Sequence, residues 1–415
     1  MKHLYRFHHT LTGKILIALI SFVLLLGLIL FTPWGNRALF PVVENALSAA
    51  FDHNVTLDGF TLRHDQFELK FHDDRNNTVS SSGVISLLTL QMYAHYRITT
   101  PHPGGINPLQ SPFHTDGALR GGFGAFDIQG EAQLFGGKAQ YGFELRRLRL
   151  ANLRLTFSGI AYETLMHELD YPSQTDTRVS GKIELSGLER RDVAGTVELV
   201  TRTGRFTPTP IKEEENESSD WRSLLADKDG TIRAFDVNLT VSASIDHAGI
   251  FEQFAGLPLS GPLEAHGSLQ GNDRTLYMVL RSSVARSDTA LSVRIPNLNP
   301  TDITVSMHHA DVGDLFRLFC LTPPVLGTGY LNAHLNGKET TLDLRLKQAR
   351  TVPSVLKQEY NITQPPIAFD AEVAADLKPL SAHYRGSFHS DLGRMEIDRN
   401  TTHDQMLREL LSSIR

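Results

Sequence analysis

The stretch from Ala234 to Asp246, AFDVNLTVSASID, alternates residue by residue. Phe235, Val237, Leu239, Val241, Ala243 and Ile245 are apolar, while Asp236, Asn238, Thr240, Ser242 and Ser244 are polar. Successive side chains of an extended chain point to opposite faces, so a period of two builds a strand with one apolar and one polar face. That pattern is typical of an antiparallel sheet buried on one side only. The same alternation recurs on both sides of this stretch. Phe67, Leu69 and Phe71 alternate with Glu68, Lys70 and His72; Ile303, Val305 and Met307 with Thr304, Ser306 and His308; Leu342, Leu344 and Leu346 with Asp343, Arg345 and Lys347. The sequence therefore predicts a mostly β body over residues 53–398, an elongated antiparallel sheet with few helices.

Three short helical segments stand in equivalent places: Tyr162 to Leu169, His247 to Leu257 and Asp311 to Leu321. Each follows an alternating strand and precedes one opening at a glycine, at Gly181, Gly261 and Gly329, which reads as a loose repeat. Residues 101–124, rich in proline and glycine, and the charged run 211–220 read as long surface loops. Leu407, Leu410, Leu411 and Ile414 fall on one helical face, so residues 399–415 are expected to form a C-terminal helix.

At the other end, ILIALISFVLLLGLILF (Ile15 to Phe31) lies in a stretch with no charged residue from Ile15 to Asn36. A helix needs about 20 such residues to cross a bilayer. Lys2, Arg6 and Lys14 precede it, which orients the amino terminus to the cytoplasm. The apolar run is longer than a cleavable signal peptide's, and the nearest small-x-small site, Ala46 to Ser48, lies well past it. The expected order is thus a cytoplasmic tail (1–13), a signal-anchor helix (14–33) ended by Pro33, a short juxtamembrane helix (34–52) and an exported body.

The 415 residues carry 40 basic and 46 acidic side chains, a net charge of −6. That balance argues against nucleic acid as a partner, since phosphate-binding chains carry a basic excess. The single cysteine, Cys320, excludes an intramolecular disulfide and a cysteine zinc cluster; its apolar context reads as a buried, inert thiol. No HExxH, GxSxG, Walker-type loop or Rossmann fingerprint occurs, so no enzyme site can be assembled and no cofactor or metal is expected. The pair His308 and His309 would point to opposite faces of a strand, a poor chelate, and Asp311 is placed to cap a helix.

Asn-x-Ser/Thr occurs six times, at Asn54, Asn76, Asn216, Asn238, Asn361 and Asn400. Each has an acidic residue two positions earlier: Asp52, Asp74, Glu214, Asp236, Glu359 and Asp398. This extended pattern resembles the acceptor sequon of the bacterial N-linked oligosaccharyltransferase, which acts in the periplasm. Asn238 and Asn361 are expected on the polar faces of strands.

The membrane anchor, the short helix and the glycine-punctuated amphipathic strands together resemble the AsmA-like family, which includes TamB-type proteins. The likeness is carried by LSGPLEAHGSLQG, IPNLNPTDITVSMHHADVGDLFRLF and GTGYLNAHLNG, with Gly261, Ile303, Asp314, Leu315, Leu318 and Gly329 at the matching positions. The resemblance implies a bacterial inner-membrane protein whose bulk lies in the periplasm. It further implies a sheet curled into an open β-groove that holds phospholipid acyl chains for lipid transport or homeostasis between inner and outer membrane. Phe67, Leu69, Phe235, Val237, Leu239, Val241, Ile303, Val305, Leu342 and Leu344 would line it. With about 20 to 25 strands at about 4.8 Å, such a groove would be on the order of 100 Å long. The alternative is a scaffold or assembly factor for outer-membrane or periplasmic envelope proteins that moves no lipid.

Overall fold

The computed structural model describes residues 31–401 apart from 87–88, 90, 108, 123, 148, 169–174, 205–233, 252–258, 300 and 379–380. The chain is mostly β and divides into two compact units, Met1–Tyr171 and Pro172–Arg415. The anchor assigned to 14–33 lies almost wholly outside the described residues, as does 402–415. No described helix is long and apolar enough to cross a membrane.

The first unit begins with helix α1 (Pro33–Phe51). There follow eight strands: β1 (Val55–Leu62), β2 (Gln66–Asp73), β3 (Thr78–Ser86), β4 (Gln91–Thr100), β5 (Phe113–Gly122), β6 (Ala125–Leu134), β7 (Gly137–Arg146) and β8 (Arg149–Ala161). Each pairs antiparallel with the next, and α2 (Tyr162–Glu168) closes the unit.

The second unit holds β9 (Thr177–Ser186), β10 (Asp192–Thr203), β11 (Asp236–Ile245), β12 (Leu263–Asn272), β13 (Thr275–Ser282), β14 (Asp288–Pro296) and β15 (Asp302–Asp311). Helix α3 (Val312–Leu318) leads to β16 (Val325–Asn336) and β17 (Glu339–Thr351), and α4 (Pro353–Tyr360) to β18 (Ala368–Lys378), β19 (Ser381–Ser390) and β20 (Gly393–Thr401). Sequential neighbours are antiparallel except β10 and β11, which run parallel. A tight turn can only reverse a chain; the long connection between these two strands lets it return to the same end of the sheet.

Several expectations need correction. Pro33 opens helix α1; the helix it was expected to end lies outside the described residues. The proline's missing N–H costs nothing at the first helical position, and the Thr32 side chain accepts a hydrogen bond from Gly35 N at 3.3 Å. Residues 113–122 are β5 and only the first half of the expected loop 101–124 is irregular. In place of an alternating strand around Asn361, the chain forms α4, and Asn361 caps it in the left-handed region at φ 56°. Of the helix expected from His247 to Leu257, the described residues show a 3₁₀ turn, Ala248–Phe251, and the rest lies outside them. Strand β20 runs to Thr401, three residues into the span assigned to a helix.

Helix α1 is held to the edge of the first sheet by both kinds of contact. Phe40, Val43 and Leu47 pack against Val55, Leu57 and Phe71. Strand β1 has a partner on one side only, β2, so its outward amides need acceptors. They find them on α1: Val55 N donates to Ser48 Oγ (3.1 Å), Leu57 N to Glu44 Oε2 (3.1 Å) and Leu62 N to Asn36 Oδ1 (3.0 Å).

The irregular segment 101–112 is pinned in the same unit through Asp73, which is 1% exposed. Its carboxylate accepts from Arg75 N (2.9 Å), Asn77 N (2.9 Å), Asn77 Nδ2 (2.8 Å) and Ile106 N (2.9 Å). Burial alone would raise its pKa, but the bonds from Ile106, Asn77 and Arg75 outweigh that and hold it below the usual carboxylate value. A depressed carboxylate contributes stability above its unfolded pKa and loses it as pH falls through its folded one. The melting temperature is therefore expected to fall below about pH 4. Asp73→Ala should remove about 3 kcal/mol at neutral pH, by orphaning buried donors, and flatten this acid limb. Calorimetry across pH 2–7 checks both.

Candidate functional site: an uncharged sheet face

Strand register decides which side chains share a face. In the first unit one row across the eight strands reads Leu57, Phe71, Val79, Ile98, Thr115, Ala132, Ala139, Phe157. Another on the same face reads Leu62, Phe67, Gly83, Ala94, Leu119, Ile128, Phe143, Leu153. On the opposite face the register gives Thr61, Glu68, Ser82, His95, Ala118, Gln129, Gly142 and Arg154.

The second unit repeats the division. From β9 to β19 one row is Leu185, Gly195, Leu239, Leu269, Met278, Val293, Ile303, Leu335, Thr340, Leu377, Ala382. Its neighbour is Ile183, Val197, Val241, Gly267, Leu280, Leu291, Val305, Ala333, Leu342, Ala375, Tyr384. The two rows on the first face of each unit contain no charged side chain as far as β19; on β20 the last of them continues to Arg399. Ion pairs lie on the other face, including Arg97 with Asp116 (2.5 Å), Lys182 with Glu184 (3.1 Å) and His383 with Asp398 (2.8 Å). The Arg97 guanidinium holds the Asp116 carboxyl low, with His114 adding to the effect against a smaller push from burial.

Register places nine of the ten candidate lining residues on the uncharged faces. Phe67 and Leu69 stand on the uncharged face of the first unit. Leu239 and Ile303 share one row of the second; Val241, Val305 and Leu342 share the next. Val237 and Leu344 extend the same face, each two residues from a row member, while Phe235 precedes β11 outside the ladder. All ten are half-buried.

Two features of the face are not legible as alternation. In the row Tyr96, Gly117, Gly130, Tyr141, two glycines lie between two tyrosines on neighbouring strands. The rings lie across the glycines, where a Cβ at Gly117 would collide with Tyr96 and one at Gly130 would press on Tyr141. The hydroxyls meet at 2.7 Å, and Tyr141 also bonds Thr115 at 2.6 Å. Burial, together with Tyr141, pushes the Tyr96 hydroxyl pKa upward.

The second feature is a set of close backbone approaches. A Cβ at Gly83 would run into the carbonyl oxygen of Tyr93 on the next strand, and one at Gly195 into that of Glu184. Gly267 meets Val279 in the same way. All three belong to the uncharged rows, and at each the neighbouring backbone leaves no room for a Cβ. Such close approach of backbones is where a strand needs glycine.

Elsewhere the chemistry matches or corrects expectation. Asp311 Oδ1 accepts from Asp314 N at 3.0 Å and caps α3. A bulge between Met307 and Ala310 places His309 at φ 56°, where its ring bonds the Tyr330 hydroxyl at 2.9 Å. No group of three or more potential metal ligands occurs among the described residues. Cys320 is exposed, because α3 ends at Leu318 and the chain turns outward there at φ 56°. Compared with known proteins, the chain matches no family model, no curated protein and no solved structure.

Proposed function

We propose that the body of this protein is a β-groove whose uncharged face holds phospholipid acyl chains, and that an amino-terminal anchor fixes it in the bacterial inner membrane. Lipid movement between inner and outer membrane is the function that follows. The observation that carries the reading is the continuity of the uncharged rows: eight successive strands in the first unit and eleven in the second. An ordinary sandwich core is covered by a second sheet, whereas here most of the row side chains are only half-buried, Leu57, Phe71, Ala94 and Ala139 being among the buried ones. An acyl chain laid along it avoids a cost of about 0.8 kcal/mol per CH2 in water. The close backbone approaches at Gly83, Gly195 and Gly267 lie on that same face. No catalytic group is needed.

Native mass spectrometry of the full chain, released from detergent after gentle extraction, tests the reading. The expected spectrum shows the protein with several phospholipids in stoichiometric amounts. A lipid-free spectrum, with tightly bound envelope proteins in their place, would favour an assembly factor instead.

A further inference from the structure

We infer that the exported body is an N-glycoprotein modified in two stages: Asn54, Asn76 and Asn361 in the folded protein, and Asn238 only before the sheet forms. Five of the six acceptor asparagines fall on described residues, and all five are exposed. Among the described residues, none of their side-chain amides makes a hydrogen bond. Asn77 and Asn107, which lie outside the pattern, are by contrast buried and bonded.

The backbone separates the acceptors. Asn54 lies in the short link between α1 and β1, just past Asp52 at φ 55°. Asn76 sits in the turn between β2 and β3 at φ 61°, and Asn361 caps α4 at φ 56°. Asn361 is followed by irregular chain, while Thr56 and Thr78, the hydroxyl residues after Asn54 and Asn76, pair at the ends of β1 and β3, so drawing those two sites out frays a strand end without opening a strand at its middle. Asn238 is different: it pairs with Ala194 on β10 and with Gln270 on β12, so extracting it would open two ladders. Asn238 and Asn400 both lie on the charged face, and glycans there leave the uncharged face clear.

The reaction is a group transfer. The asparagine Nδ2 forms a bond to the anomeric carbon of a lipid-diphosphate-linked oligosaccharide; the bond from that carbon to the diphosphate breaks, the diphosphate leaves with the electron pair, and the amide loses one proton. The carboxylate two residues before each acceptor supplies a fixed negative charge for a basic subsite on the transferase.

The test uses purified, folded full-length protein, a bacterial oligosaccharyltransferase that requires the acidic position, and its lipid-linked oligosaccharide, with site occupancy read by peptide mass spectrometry. Expected are glycans at Asn54, Asn76 and Asn361, none at Asn238, and addition at Asn238 once the chain is unfolded in urea and diluted into the reaction. Asp74→Asn should lower occupancy at Asn76 at least tenfold, with the other sites reporting that the chain is otherwise unchanged. Absence of glycan at all three turn sites would overturn the inference. Equal occupancy of Asn238 in folded and unfolded protein would overturn the two-stage order, and unchanged occupancy in Asp74→Asn would remove the role of the acid.

Discussion

Changing Leu239 and Val305 together to aspartate should strip bound phospholipid from the protein, lowering the lipid signal in native mass spectra at least tenfold. The two residues stand in adjacent rows near the middle of the second unit's uncharged face. An ionised carboxylate there faces two unfavourable choices: shed its water against an acyl chain, or bring water into the row; either costs several kcal/mol. Because both side chains are half-buried, the strand ladders should survive, and circular dichroism should match the parent. The matched control is Thr240→Asp with Thr304→Asp, on the opposite face beside Thr196 and His334. It introduces the same charge and should leave lipid binding intact. Equal loss in both variants would show that charge, and not the uncharged face, governs binding.

The second large effect is on stability. Gly195→Val should cost about 3 kcal/mol, because the added side chain meets a ladder carbonyl that cannot swing aside. For a unit of this size that corresponds to a fall of about 6–12 °C in melting temperature. Gly142→Ala gives the comparison: its Cβ would lie 3.9 Å from Arg154 Cβ and 4.0 Å from Gln129 Cγ, ordinary contact distances. That change should stay within about 0.5 kcal/mol. Scanning calorimetry of the two variants separates a close backbone approach from a tolerant glycine, and similar melting temperatures would refute that approach.

Alternation made β2, β11, β15 and β17 readable, because in those strands every second residue is bulky and apolar. It failed at β5, FHTDGALRGG, where Gly117 and Gly121 occupy uncharged-face positions and imitate a loop. Gly117 is small because a tyrosine from the adjacent strand fills its place, and that partner is 21 residues away in the sequence. Helix α4 was hidden for a different reason. PSVLKQEY has only a weak apolar stripe, and its start is signalled by Pro353 alone. Cys320 looked buried because its neighbours are apolar, yet Phe319 and Leu321 are themselves 40% and 55% exposed. Which residues share a strand face was readable because a face is a local property of a strand. The close backbone approaches were not, since they depend on which carbonyl lies opposite which glycine.

Helix α1 has one more effect, on crowding. In the anchored arrangement proposed above, copies share a single plane, each presenting its first strand at the same height and within lateral reach of the next. Few geometries favour edge-to-edge fusion of sheets more. The hydroxyl of Ser48, the carboxylate of Glu44 and the amide of Asn36 already occupy the β1 donors that a neighbour would need. In that proposed arrangement the helix would keep neighbouring copies from fusing through β1.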